Sequence, residues 1–411
     1  MRELARHREF RLLLAAQTLS MFGDWTLLLV LGIWAKTLTG SSAVAGLTVF
    51  AMAAPGVLAP LAGVVVDRLP RRSVLLGVNL VGVVVVSSLW LVHDRRQLWL
   101  LFAVAAWYGI ASIVTNAATS GLVQSMLPAE LLGPANGALS TVRQGLRLLG
   151  PLVGAGLFAA AGGRWVATLD ATAFVLAAVV LLRLRHREQR RDSTAGRGEV
   201  LAGLVHLWRT TALRRVARST LVFSGSVGLV EATVYALVDD GLHRPAEFVG
   251  VLVSVQGGGA IAGGVAVSLL VSRVDEARLV AVGMALVAVG AGAGAVASLP
   301  VVLTGFLLVG AGLPVLAVGA ATTLQRRTPN AVMGRVATGY EMVSSVPTTA
   351  SIAVGALLVG VLPFQVVLVV TAVGCASAAV LMVVGGEAGS HDPAVASPDR
   401  DGGSASCVRA R

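Results

Sequence analysis

Six ionisable side chains stand inside long apolar stretches of this 411-residue chain: Asp24, Arg143, Arg147, Asp170, Glu231 and Glu341. Taking a charge out of water is costly, so such a group is either used for binding or bonded to a neighbour. A carboxylate in this setting can take up and release a proton, because burial favours its neutral form and an approaching arginine its charged form. Arg143 and Arg147 are one helical turn apart and share a face, where they would hold an anion or pair with Asp24 or Glu341. Trp25, Trp34, Trp107 and Tyr108 offer flat faces for an apolar or cationic molecule, although Trp34, Trp90 and Trp99 also suit anchoring at an interface.

Bond-making chemistry is poorly supplied. No histidine falls inside an apolar stretch, and the two cysteines, Cys375 and Cys407, form no metal or disulfide pattern. The sole lysine, Lys36, precedes Thr37 but follows Ala35 rather than a glycine-rich loop, so no phosphate cradle of a nucleotide-driven pump is present. With neither a nucleophile beside a base nor a metal cluster, no enzyme, cofactor or metal is expected.

The elements that must position these groups are legible from hydropathy. The chain is 56% hydrophobic and 13% charged, with a mean hydropathy of +0.82, more apolar surface than a soluble fold of this length can hide. About 20 apolar residues span a bilayer as a helix. That window predicts about twelve spans, near 12–36, 42–66, 73–92, 98–122, 135–160, 164–183, 216–238, 246–271, 278–298, 300–324, 333–360 and 363–384. The Arg-rich start precedes a run too long for a signal peptide, so that run is read as the first helix. A net charge of +11 does not point to nucleic acid: 25 of the 32 Lys and Arg fall in segments sharing one side, five on the other and two within the fifth span. This bias places both termini in the cytoplasm of a multi-pass protein of the inner or plasma membrane.

The chain divides at its longest polar break. The expected organisation is a six-helix bundle over 1–183, a cytoplasmic central loop over 184–213, a second six-helix bundle over 214–385 and a disordered cytoplasmic tail over 386–411. Residues 203–218 read either as an amphipathic helix on the membrane surface or as the start of the seventh span. An internal repeat supports the division: Gln124, Pro128 and Gly133 recur as Gln325, Pro329 and Gly334 at one constant offset, which Gly154 and Gly355 keep. Two parallel six-helix halves put a substrate path between them near the midplane.

Between the second and third spans stands Gly63-Val-Val-Val-Asp67-Arg68-Leu-Pro70-Arg71-Arg72. This resembles the signature loop of the major facilitator superfamily, with Pro70 where a second glycine is usual. A degenerate copy, Arg273-Val-Asp275-Glu276-Ala-Arg278, occupies the equivalent place in the second half. The fifth span carries Gly137, Gly150, Pro151 and Gly154, similar to the Gly-Pro motif of exporter branches, with Leu146 and Ala155 where further glycines are usual. Phe10-Arg11, Ser20 to Asp24, Ala135-Asn136 opening the fifth helix, and Asp170 to Phe174 extend the likeness to the macrolide-efflux and siderophore-exporter-like (transmembrane secretion effector) subgroup. One departure is that Leu98 to Gln124 carries no basic residue, where many proton-driven members have an arginine.

The resemblance implies an all-α membrane protein with two pseudo-symmetric six-helix bundles. It implies proton-coupled efflux of a small lipophilic drug or secondary metabolite by alternating access, performed by a monomer. Importers, and non-transporting sensors or assembly factors, share the fold. Gly63, Asp67, Arg68, Arg71 and Arg72, with Gly150, Pro151 and Gly154, are then expected to act as conformational gates. Asp24 and Glu231, at similar depths in the opening helices of the two halves, are expected to line the cavity with Arg143, Arg147, Glu341, Trp25, Trp107 and Tyr108. Asp170, near an outer end, is expected to be structural, and bonding to a neighbouring helix is the plainer alternative for each of the other charges.

Overall fold

The computed structural model describes residues 7–58, 69–185, 204–270, 273–329 and 332–384. Twelve main helices follow one another among them: α1 Arg8–Thr39, α2 Ser42–Ala53, α3 Arg71–Ser87, α4 Leu98–Met126, α5 Ala129–Ala161, α6 Gly163–Leu182, α7 Thr211–Ala236, α8 Phe248–Leu270, α9 Glu276–Gly294, α10 Leu299–Arg327, α11 Met333–Leu358 and α12 Phe364–Val384. Eleven are long and apolar enough to cross a bilayer, while α2 is the shorter one, continued by a 3-10 turn over Ala54–Leu58. The all-helical, roughly twelve-span architecture expected from hydropathy is the one observed.

Helix ends follow local chemistry. Gly40 stops α1 in the left-handed region (φ 74°), returning its N–H to Lys36 O at 2.6 Å. The fifth helix opens at Ala129 after Pro128 rather than at Ala135, so Pro134 lies inside it and not before it. Proline punctuates a sequence, and Pro134, the sixth residue of this helix, forfeits one helical hydrogen bond that the longer helix tolerates. Helix α7 extends past its expected end through a π-helical turn, Leu237–Gly241. Residues 204–209 are helical and separated from α7 by a bend at Thr210, with Leu207 fully buried against the second half. The rest of the central segment, and the tail from residue 385, lie outside the described residues, as do Gly63, Asp67 and Arg68.

Within the first half, α1 packs on α2, α4, α5 and α6; within the second, α7 packs on α11 and α12, and α10 on α8 and α9. The halves are tied together by α2 against α7 and α11, and by α5 against α8. Call the end that carries Arg8 and Val384 the near end and the other the far end. One core cluster, including Leu27, Ile33, Tyr108, Tyr235, Val249 and Phe364, draws on both halves toward the far end. At the near end the core is split: Phe10, Leu75, Leu122 and Leu181 belong to the first half only. Val216, Val280, Leu324 and Met382 belong to the second. The protein is therefore sealed across the far end and divided at the near end.

Each half also braces its own near end. Arg71 donates to Gly121 O at 3.1 Å, joining α3 to α4. Fifty residues likewise separate Glu276 and Arg326, which pair to join α9 to α10 at the corresponding place in the second half. Arg72 donates to Leu181 O (3.0 Å) and Leu182 O (2.9 Å) at the carbonyl end of α6, where a cation complements the helix dipole.

Candidate functional site

The first helices of the two halves meet at the far end in constant register. Lys36 Nζ lies 2.7 Å from Asp239 Oδ2, and also donates to Tyr235 O (3.2 Å) and Ser42 Oγ (2.8 Å). One turn toward the midplane, the Tyr235 hydroxyl occupies the space a Cβ on Gly32 would need. Both contacts pair residues 203 apart, so α1 and α7 run side by side in the same direction. Continued one more turn, that register sets Glu231 opposite Leu28, and Asp24 lies one turn nearer the near end, about 6 Å at roughly 1.5 Å per residue. The two carboxylates expected at similar depth are thus offset by a turn.

Glu231 is solvent-accessible although it sits within a span, and the arginine whose charge acts on it is Arg147, from the opposite half. Arg147 in turn lies over the Trp25 ring, 5.9 Å from its centroid. Trp25 of α1 and Arg147 of α5 are thus in contact, with Glu231 of α7 within electrostatic reach of Arg147. Arg143 donates to Asn116 Oδ1 at 3.1 Å on α4, and Arg147 lies within electrostatic reach of Glu231 without forming an ion pair among the described residues, rather than of the Asp24 or Glu341 read from the sequence. Glu341 is exposed on α11, one residue from Tyr340, whose hydroxyl lies 3.1 Å from Thr220 Oγ1.

The Gly-Pro segment forms the seam that carries Arg147. A Cβ on Gly150 would strike Trp25, and one on Gly154 the Thr26 carbonyl, so the backbones of α5 and α1 touch there. On the other face of α5, the Pro151 carbonyl and Ala155 lie against Gly250 of α8, and Leu148 against Gly257. One stretch of α5 thus contacts both a partner in its own half and one in the other. Gly137 and Gly145, by contrast, face open space.

One aromatic expectation changes. Tyr108 is 4% exposed, stacked on Phe174 (centroids 6.5 Å apart), and donates its hydroxyl to Asp170, so it belongs to the packed core and not to a cavity wall. Trp107 is partly buried, with its indole N–H enclosed and without an acceptor among the described residues. Asp170, expected near an outer end, is fully buried against Gly23 at mid-helix, beside Asp24. Hydropathy leaves Lys36 and Asp239 among the charges at span ends, with no sign that they meet. The signal available was that Lys36 is the chain's single lysine, set at a helix end.

Residues 13–238, more than half of the chain, match the Major Facilitator Superfamily. An uncharacterized MFS-type transporter of Bacillus subtilis (strain 168), YfiS, is 27% identical over 263 residues, and the match spans 61% of this chain and 61% of that relative. Among solved structures, a bacterial homologue of the iron transporter ferroportin in an inward-facing state aligns with a TM-score of 0.71 and 19% identity, covering 92% of this chain and 98% of that one. A POT family transporter in complex with 5-aminolevulinic acid aligns with a TM-score of 0.76 at 10% identity, covering 92% and 96%. The nucleoside transporter NupG aligns with a TM-score of 0.71 at 11% identity, covering 92% and 98%. At these identities the structural likeness establishes the fold.

Proposed function

Because the chain belongs to the major facilitator superfamily, a non-enzymatic class of secondary transporters, we propose that it performs proton-coupled efflux of a small lipophilic drug or secondary metabolite by alternating access. The observation that carries the reading is the split core: one cluster bridges the halves toward the far end, while at the near end each half closes on itself. Interfaces between rigid bodies of this kind rock between two states rather than deform. The excess of arginines on the near-end segments supports a cytoplasmic location for that end and for both termini in a cell membrane. The conformation described is then the one open to the cytoplasm, ready to receive an internal substrate.

In this reading Trp25 supplies an apolar face, and Arg147 with Glu231 supplies a pair of opposite charges contributed by opposite halves. When the halves rock, the distance between those charges changes, and a proton replaces the arginine as the partner of the carboxylate. Asp24 is the second carboxylate of the cycle, and a single chain forms the transport unit. Export rather than import is supported by the likeness of Gly150, Pro151 and Gly154 to the exporter motif and of the whole chain to the macrolide-efflux and siderophore-exporter-like subgroup.

The test is accumulation of a panel of fluorescent lipophilic compounds in cells with and without the protein, before and after collapse of the proton gradient. Lower accumulation that vanishes with the gradient is expected. Higher accumulation would reverse the direction to import, and an unchanged panel would favour a non-transporting sensor or assembly factor.

A further inference from the structure

On the outer face of the first half, α3 and α6 cross tightly at Gly82, where a Cβ would strike the Phe174 ring. Toward the far end α3 gives way to a 3-10 turn, Ser88–Leu91, whose tighter winding brings Trp90 back over α6. The indole N–H of Trp90 donates to Thr168 Oγ1 at 3.0 Å, and its ring meets Trp165 edge-on with centroids 6.3 Å apart. On the midplane side of Trp90 the two helices leave an open groove of about 240 Å³, with Ala167 and Ala171 as its floor and Ser87, Thr172 and Val175 at its rim. The corresponding helices of the second half, α9 and α12, close over this place: a Cβ on Gly294 would meet Leu368, and one on Gly292 would meet Ala372. Leu368 and Ala372 stand at the repeat's constant offset from Ala167 and Ala171, so the groove is a departure from the pseudo-symmetry.

Position, size and charge decide what can fill it. Helix α3 packs on α4 and α6, and α6 on α1, α3 and α5, all in the first half, and the groove opens on an apolar outer face that also exposes Val84 and Val179. Val175 lies about 16 Å deeper than Arg164 at roughly 1.5 Å per residue, half of a hydrocarbon layer ~30 Å thick and so the depth of one leaflet. The groove is smaller than the roughly 300–1,000 Å³ of pockets that enclose a whole small molecule, and suits one chain whose remainder stays in the bilayer. Its far-end mouth is positive. Arg164 lies over the Trp90 ring, 5.9 Å from the centroid, and gives one N–H to Val92 O at 3.3 Å, leaving donors with no acceptor among the described residues. Val92 begins the loop that carries Arg95 and Arg96 against one acid, Asp94, whose carboxylate is spent on capping a turn. Three of the five basic residues on that side of the chain thus gather at one mouth. We propose that the groove between α3 and α6 binds one phospholipid of net negative charge from the far-side leaflet, with an acyl chain along Ala167, Ala171 and Val175 and its phosphate on Arg164. Interfacial anchoring accounts for exposed tryptophans, whereas a cation set above an apolar groove selects a headgroup and holds its chain.

The test is native mass spectrometry of the purified full-length protein in detergent, titrated with dioleoyl phosphatidylglycerol or dioleoyl phosphatidylcholine. One phosphatidylglycerol is expected to bind the wild type about tenfold more tightly than phosphatidylcholine. Arg164→Gln should erase that preference and Arg164→Lys should keep most of it. Thr172→Phe, which fills the exposed rim of the groove, should weaken both lipids. Equal binding of the two lipids by the wild type, or a preference that survives Arg164→Gln, overturns the proposal. Displacement of the lipid by an equal concentration of inorganic phosphate, which has no chain, overturns it too. Thermal unfolding gives a second reading: phosphatidylglycerol raises the melting temperature of the wild type but not of Arg164→Gln. A variant that is merely less stable starts lower and keeps the increment, which counts against the site. If Arg164→Gln does not fold, Thr172→Phe carries the test, and unchanged affinity in that variant overturns the proposal. Neither reading needs a substrate, so a chain that transported nothing would still show the site.

Discussion

Lys36 and Asp239, 203 residues apart, are joined by a 2.7 Å ion pair that spans the two halves at the far end. Lys36 is buried and Asp239 half-exposed, so the pair is neither a surface bridge nor a fully desolvated one. Lys36→Met or Asp239→Asn is expected to loosen this end by about 1–2 kcal/mol, roughly five- to thirty-fold in favour of the state open there. Electron-spin distance measurements between the far ends of α2 and α11 report that population, and the swapped pair Lys36→Asp with Asp239→Lys should partly restore it. Unchanged distances in both single variants would mean the ion pair does not hold the end shut.

Gly46 of α2 tests the same closure sterically. A Cβ there comes within 2.9 Å of Ala232 Cβ and 3.2 Å of Ala356 Cβ, both in the second half. Gly46→Leu is therefore expected to leave each half folded while wedging the far end open and abolishing transport. A variant that still closes, with wild-type distances, would contradict the packing described.

The α1–α5 seam predicts a contrast in stability. Gly150→Val and Gly154→Val drive side chains into Trp25 and the Thr26 carbonyl and should cost about 1–3 kcal/mol or more. Gly145→Ala meets nothing within 4 Å and should stay within about 0.5 kcal/mol of wild type. Thermal unfolding of the purified protein in one detergent ranks the three.

Glu231 and Arg147 should behave as a unit. Because Glu231 is accessible, Glu231→Gln is expected to spare folding and reduce gradient-driven transport at least about tenfold, a loss near ~1.4 kcal/mol. Arg147→Ala should do the same, and the double variant should be little worse than either single one. Additive losses in that cycle would separate their roles. Replacing Asp24 by Asn together with Glu231 by Gln should abolish coupling while expression persists.

The spans are legible because hydrophobic length is a local property, and so are the charges lying within them. The ends are less so: Pro134 disguises the start of α5 at Ala129, and the π-turn at Leu237–Gly241 carries α7 beyond its hydropathy. What cannot be read from the sequence is which faces meet. Arg147 and Glu231, Tyr108 and Asp170, and Lys36 and Asp239 are brought together by the rotation of each helix about its own axis. Small residues such as Gly23 and Gly32 set that rotation, and in one sequence their packing partners are invisible. The neighbours of Asp170, Gly23 and Tyr108, are hidden for the same reason.

The chain's only lysine lies in the far-end contact, 7% exposed. Apart from the terminal amine, it is the one primary amine on the polypeptide. A membrane-impermeant, amine-selective reagent applied to the far side would therefore modify the wild-type protein at a single side chain, and only while that contact is broken. The labelling rate becomes a clock for the opening of one end of the transporter, read from an unmodified protein in its own membrane.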